Sequence, residues 1–191
     1  MGKIVVTQFV SVDGVSEAPG GEPDYPHTGW VARFPEPEPF DFLLNALLPQ
    51  EALLIGRVTY ESFAGAWPGY EGPMADKMNA MPKFVASRTL KNPEWNNTTV
   101  LEGDLATAVA QLKRQIPGEI AVQGSRSIVN QLRRHNLVDE YRLMVFPVVL
   151  GSGRRLFDET PEALELKLRD AVTYHNGVVL LVYEAGTTRL D

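Results

Sequence analysis

Residues 120–132 read IAVQGSRSIVNQL, an apolar run that stops at Gly124-Ser125 and resumes at helical spacing. Ile120 to Val122 suits a buried strand, and the residues after Ser127 suit a helix. A glycine and a hydroxyl at such a junction serve one of two ends. They make an ordinary strand-to-helix turn, or they cradle a phosphate or a planar ring. Glycine lets the backbone approach a ligand closely, and a helix start offers unpaired N–H groups. On the second reading Gly124 is small because a ligand passes over it.

The same pattern occurs twice more. The strand ALLI runs into Gly56-Arg57-Val58-Thr59, where a permanent cation and a hydroxyl enter a helix. Val85-Ala86-Ser87-Arg88 ends a strand on a hydroxyl and a guanidinium, whose planar fork can take two phosphate oxygens at once. None of the three is a G-x-G-x-x-G fingerprint, so a standard dinucleotide fold of the Rossmann kind is a poor reading.

Working outward, strand-like runs lie at 3–12, 51–55, 83–87, 98–101, 119–123 and 140–150, with helix-like stretches at 40–48, 105–115 and 127–135. Phe40, Leu43, Leu44 and Leu47 share one face of the first helix, which Asp41 opens as a cap. Asp104 caps the second, and Pro117-Gly118 stops it. Two last strands, 164–174 and 178–184, flank His175-Asn176-Gly177, a hairpin signal. Strands alternating with helices and then a run of strands predict an α/β fold, its sheet partly parallel with an antiparallel edge. Residues 16–40, rich in Pro, Gly and Glu, read as a long loop folded over a site rather than as a linker. Tyr25, Trp30 and Phe34 favour that reading, with Trp30 as a substrate contact. The expectation is one domain over 1–191.

Composition removes several classes. The chain has no Cys, which excludes disulfides and thiolate chemistry and fits a reducing, cytoplasmic setting. Its net charge of −6 gives nucleic acid no general attraction. The apolar start is broken by Gln8, Ser11 and Asp13, so it reads as a strand rather than a leader, and no run is long enough to cross a membrane. His27, His135 and His175 show no metal-ligand spacing, and no metal is expected. Gly151-Ser152-Gly153-Arg154-Arg155 is a turn loaded with two cations, which suit an acidic substrate group if the turn borders a pocket. Asp13 and Glu17, after the first strand, are the candidate proton donors.

Taken in order, I-G-R-x-T-Y-E-S, V-A-S-R and V-x-G-S resemble the cofactor signature of the dihydrofolate reductase-like fold. The stretch LVDEYRLMVFPVVLGSGRRLF (137–157), with SVDG (11–14), is similar to the reductase domain of the riboflavin-biosynthesis deaminase/reductase and its stand-alone relatives. The resemblance implies a three-layer α/β fold: a central, mostly parallel sheet flanked by helices, with a C-terminal antiparallel hairpin. It also implies an NADPH-dependent reductase acting on a heterocyclic or ribosylamino-pyrimidine small molecule. Gly56, Arg57 and Thr59 would hold the pyrophosphate and adenosine side, and Ser87 and Arg88 the 2′-phosphate or adenine. Gly124, Ser125, Arg126 and Ser127 would lie along the pyrophosphate and nicotinamide half, and Arg154 and Arg155 would clamp a substrate phosphate. Two alternatives stand beside it. One is a non-catalytic nucleotide-binding module. The other is a folate reductase, against which Gly124-Ser125 replaces the usual Gly-Gly pair and Asp41 sits at a helix start. A homodimer is a further expectation, through the C-terminal strands and the Val145–Leu150 run.

Overall fold

Strands that are apolar at every position need cover on both faces, and here they have it. The computed structural model describes residues 1–35, 37–159 and 163–190, without the side chains of 37–40 and 187–190. Residues 36, 160–162 and 191 of the expected unit, and the Phe40 side chain expected on the first helix's apolar face, fall outside that description.

The chain runs β1 (Lys3–Ser11), α1 (Pro37–Leu47), β2 (Gln50–Gly56), α2 (Arg57–Ala66), α3 (Pro73–Ala80), β3 (Lys83–Ala86), β4 (Thr98–Leu101), α4 (Leu105–Gln115), β5 (Glu119–Val122), α5 (Arg126–Arg134), β6 (Glu140–Phe146), β7 (Ala163–Thr173) and β8 (Val179–Leu190). They form an eight-stranded sheet in the order β4-β3-β2-β5-β1-β6-β8-β7. The pairs from β4 to β6 are parallel, while β8 runs antiparallel to β6 and β7 antiparallel to β8. This is the expected α/β class.

Alternation assigns each side chain to a layer. Ala52 and Leu54 of β2 face α4 and α5 with Val109, Ile128, Val129 and Leu132; Leu53 and Ile55 face the other way, onto Leu47, Tyr60 and Met78 of α1, α2 and α3. Burial on both sides is why β2 shows no polar alternation. A further cluster around Trp30, Phe146 and Leu180 closes the β6–β8 end.

Several boundaries differ from expectation. Asp41 stands inside α1 rather than capping it, because the helix starts at Pro37, whose fixed φ suits a first turn. β6 stops at Phe146 because Pro147 has no N–H to give the ladder. Within the Val145–Leu150 run expected to meet a partner, Phe146 and Leu150 are core, and Pro147 and Val149 are exposed. The short helix α3 carried no periodic signal strong enough to read. The turn at 175–177 forms as expected, with Gly177 at φ +82°.

Candidate functional site

Two neighbouring strands send the chain in opposite directions. From β2 it leaves through α2 toward β3; from β5 it leaves through α5, across β1, toward β6. A crevice at the carboxyl ends of such strands is where open α/β sheets bind ligands. Leu53 pairs with Ala121, so Gly56 and Gly124 arrive at the same height. Gly56 in turn pairs with Ala86, which places Ser87 and Arg88 beside Arg57. The three motifs read from the sequence thus share one edge of the sheet.

The helix starts pack so closely that each glycine has a neighbour where a side chain would go. A Cβ on Gly56 would sit 2.3 Å from Ser125 Oγ, and one on Gly124 would sit 2.8 Å from Thr59 Oγ1. Gly124 also has φ +125°, a region closed to other residues. Gly124 also has a reason to be small inside the protein: Thr59 occupies the space a side chain would need. The Gly124–Ser125 peptide is cis.

Neither helix is capped by its own side chains. Gly56 has none to offer, and Ser125 makes no capping bond, its hydroxyl lying 2.9 Å from Ser127 Oγ. In α4, by contrast, Asp104 Oδ2 accepts from the Thr107 N–H at 2.9 Å. Two uncapped helix starts, side by side, present free N–H donors and the positive ends of two dipoles to one point. Such a point suits a pyrophosphate.

The cations around it are not equivalent. Arg57 is paired with Glu61 at 2.7 Å, and Arg126 with Asp158. Arg88 is exposed and has no ion-pair partner among the described residues. Ser87 Oγ accepts the N–H groups of Thr89 and Leu90, which fixes the turn that carries Arg88.

On the far side of β5, the segment after β1 and the segment after β6 lock together. Asp13 accepts hydrogen bonds from the Ser11 hydroxyl (2.6 Å) and from the N–H groups of Gly151 (2.9 Å) and Leu150 (3.1 Å). These bonds, Ser11's foremost, lower its pKa from 3.8 to about 2 despite opposing burial. Glu17 accepts the Arg154 N–H at 2.8 Å and stands 3.4 Å from its guanidinium. Tyr25 gives its hydroxyl to the Ser152 carbonyl at 2.7 Å. Arg155 is exposed and without an ion-pair partner among the described residues. The loop from residue 16 is thus fastened to the 151–155 turn. Trp30 corrects the sequence reading: it is fully buried, edge-on to Phe146, with Nε1 donating to the Glu17 carbonyl. It is core.

A folded pKa below the unfolded one means that Asp13 stabilises the fold above about pH 4, and that this stability is lost as pH falls through about 2. Asp13→Asn is expected to cost about 2 kcal/mol at neutral pH. It should also flatten the acid limb of the unfolding curve, measured by urea titration between pH 2 and 7.

The sequence missed Asp158 and Asn130, whose partners lie 26 to 32 residues away. A hollow of about 690 Å³ opens at the opposite end of the sheet, by Lys3, Arg133 and Glu140, and touches none of the motif residues. Among the described residues no group of His, Asp and Glu could hold a metal ion, and no helix is long and apolar enough to cross a membrane.

Comparison with known proteins agrees with the α/β fold. Residues 2–180 match the family model described as RibD C-terminal domain. The chain is 30% identical over 186 residues to the uncharacterized protein YyaP of Bacillus subtilis (strain 168), covering 95% of this chain and 94% of that one. It is 26% identical over 178 residues to YwjB of the same organism, also described as uncharacterized, covering 93% and 95%. In structure it is similar to a putative riboflavin biosynthesis protein from Shewanella sp. PV-4 (TM-score 0.78, 21% identity, covering 96% and 99% of the two chains). It is also similar to a pyrimidine reductase-like protein from Corynebacterium diphtheriae (TM-score 0.70, 13% identity, covering 97% and 92%).

Proposed function

The chain belongs to the RibD C-terminal domain family, and from that premise we propose that it is an NADPH-dependent reductase acting on a heterocyclic, ribosylamino-pyrimidine type of substrate. The observation that carries the reading is the meeting of two uncapped helix starts, at Gly56 and Ser125, beside Arg88, which has no ion-pair partner among the described residues. That set fits the cofactor. The free N–H groups of α2 and α5 suit the pyrophosphate, with Thr59 and Ser127 adding hydroxyls, and Arg88 suits the 2′-phosphate. When bound, NADPH supplies a hydride from its nicotinamide ring.

The chain's own residues orient and neutralise. The carboxyl ends of β1 and β5 form the floor between the nucleotide half and the substrate half of the crevice. Arg155, with Arg154 held by Glu17, suits a phosphate or carboxylate on the substrate. Asp13 carries no proton near neutrality, so its part is to fix the Leu150–Gly151 turn. A folate reductase is the weaker reading, since Asp41 is exposed on α1 rather than buried against a pterin. A nucleotide-binding module without chemistry draws on one observation: both acids near the crevice are committed to the 150–154 turn.

Titration of the protein with NADPH, followed by nucleotide and tryptophan fluorescence, is expected to show saturable one-to-one binding. Arg88→Ala should weaken NADPH about tenfold and leave NADH unchanged, the size of one charge-assisted phosphate contact. Absence of saturable NADPH binding would sink the reductase reading. Binding without turnover across a panel of ribosylamino-pyrimidines and pterins would favour the non-catalytic one.

A further inference from the structure

Each of the two helices that open at the crevice begins with an arginine, and each arginine is met by an acid. The pairs differ in kind. Arg57 and Glu61 are both exposed, 43% and 49%, on a single helix face, so water and salt weaken their hold. Arg126 and Asp158 are 30% and 31% exposed and come from distant parts of the chain. Asp158 Oδ2 also lies 3.7 Å from Arg134.

Asp158 does not need its carboxylate to stay in place. Its N–H donates to Asn130 Oδ1 at 3.0 Å, and its carbonyl accepts from Arg133 Nη2 at 3.2 Å. Asn130, 1% exposed, donates through Nδ2 to the carbonyls of Leu156 (2.8 Å) and Arg126 (3.0 Å). Main-chain bonds therefore already fasten the segment after Arg155 to α5. What the carboxylate adds is a negative charge beside the first residue of α5, where the helix dipole and the free N–H groups favour an anion. A charge there works against an incoming phosphate by drawing the Arg126 guanidinium away.

We infer that Asp158 sets the affinity of the crevice for the dinucleotide by holding Arg126 off the pyrophosphate, so that the cofactor is gripped mainly by main-chain N–H groups and Arg88. The inference rests on the nucleotide reading above. Its consequence is a cofactor held loosely enough to leave once spent, which matters wherever release limits turnover.

A double-mutant cycle tests it, with NADPH as the probe and fluorescence titration of wild type, Asp158→Asn, Arg126→Gln and the double variant at fixed ionic strength. Asparagine keeps the size of Asp158 and leaves both of its main-chain bonds untouched, so the fold is retained. Asp158→Asn is expected to bind NADPH about tenfold tighter, one released guanidinium–phosphate contact. That gain should vanish in the Arg126→Gln background. Unchanged or weaker binding by Asp158→Asn, or a gain that survives without Arg126, overturns the inference. A second measurement does not depend on Asp158 variants at all. Arg126→Gln alone should keep NADPH affinity within about twofold of wild type, because the guanidinium is already spent on Asp158; a tenfold loss overturns the inference. Wild-type protein that does not bind NADPH removes the nucleotide reading itself, whereas wild-type binding with no gain on Asp158→Asn removes only the role given to Asp158.

Discussion

Gly124→Val is expected to weaken NADPH binding at least about a hundredfold, the largest loss of function expected from one substitution in this chain. Two independent costs act at that position. The backbone stands at φ +125°, where an L side chain is strained by a few kcal/mol. The first carbon of any side chain would also sit 2.8 Å from Thr59 Oγ1 and 3.2 Å from Thr59 Cγ2. Thr59 lies in the first turn of α2, so relieving the contact pushes α2 away from α5 and separates the two sets of N–H donors. Displacing a binding group by about 1 Å is enough for a loss of that order. Fluorescence titration gives the affinity, and a thermal melt shows whether the fold survives. Comparing Gly124→Ala combined with Thr59→Gly against Thr59→Gly alone separates the two costs, since both lack the Thr59 contact and hydroxyl and only the first carries the backbone strain. Near-wild-type affinity in Gly124→Val would mean that the two helix starts do not act together on one ligand.

The second large effect is on stability, and it lies away from the crevice. Lys83, at the start of β3, is fully buried with no acid as partner among the described residues. Its ammonium donates to the carbonyls of Asn79 (2.8 Å), Met81 (2.8 Å) and Asn96 (2.9 Å), and lies 4.4 Å from the centre of the Trp95 ring. It joins the end of α3 to the loop that returns from Ser87 toward β4. Lys83→Met leaves those carbonyls facing a thioether. A net loss of about 2 kcal/mol at pH 7 is expected, after allowing for the relief of a buried charge, or several degrees in Tm.

The pH dependence has a definite sign. Burial lowers the Lys83 pKa from 10.5 to about 8. Above pH 8 the folded ammonium gives up its proton, while the unfolded chain keeps one until about 10.5, so the unfolded state binds more protons across that window. Wild-type unfolding free energy should therefore gain up to about 3 kcal/mol from this group between those limits, the three carbonyls holding the gain down by favouring the charged form. The gap between wild type and Lys83→Met should widen over the same range, as followed by guanidinium titration. A gap that stays constant from pH 7 to 10.5 would show that Lys83 keeps its proton throughout.

Neither Lys83 nor Asp158 could be read from the chain as a sequence. Lys83 opens the run KFVAS and looks like a solvated strand start; only the return of residues 95 and 96 beneath it makes it a buried ammonium. Asp158 follows a Gly/Arg turn and looks like one more surface acid, until α5 brings Arg126 and Asn130 against it. Trp30 failed in the opposite direction. An aromatic in a Pro/Gly-rich loop suggested a ligand, but the loop is a clasp on the 151–155 turn and its tryptophan completes a core.

What the sequence determined on its own is local. Apolar runs without alternation require a sheet covered on both faces, and Gly-hydroxyl-Arg junctions mark where its strands hand over to helices or turns; both follow from side-chain period and backbone freedom within a few neighbouring residues. Tertiary structure decided everything that depends on residues meeting from afar. It placed Gly56 against Ser125 and Gly124 against Thr59, it let Glu61 and Asp158 take two of the expected phosphate-binding arginines, and it left Arg88 and Arg155 without an ion-pair partner among the described residues. Charge and close contact act over a few ångströms of space whatever the separation along the chain, so which cation is spent and which glycine is forced becomes visible only once the strands are in order.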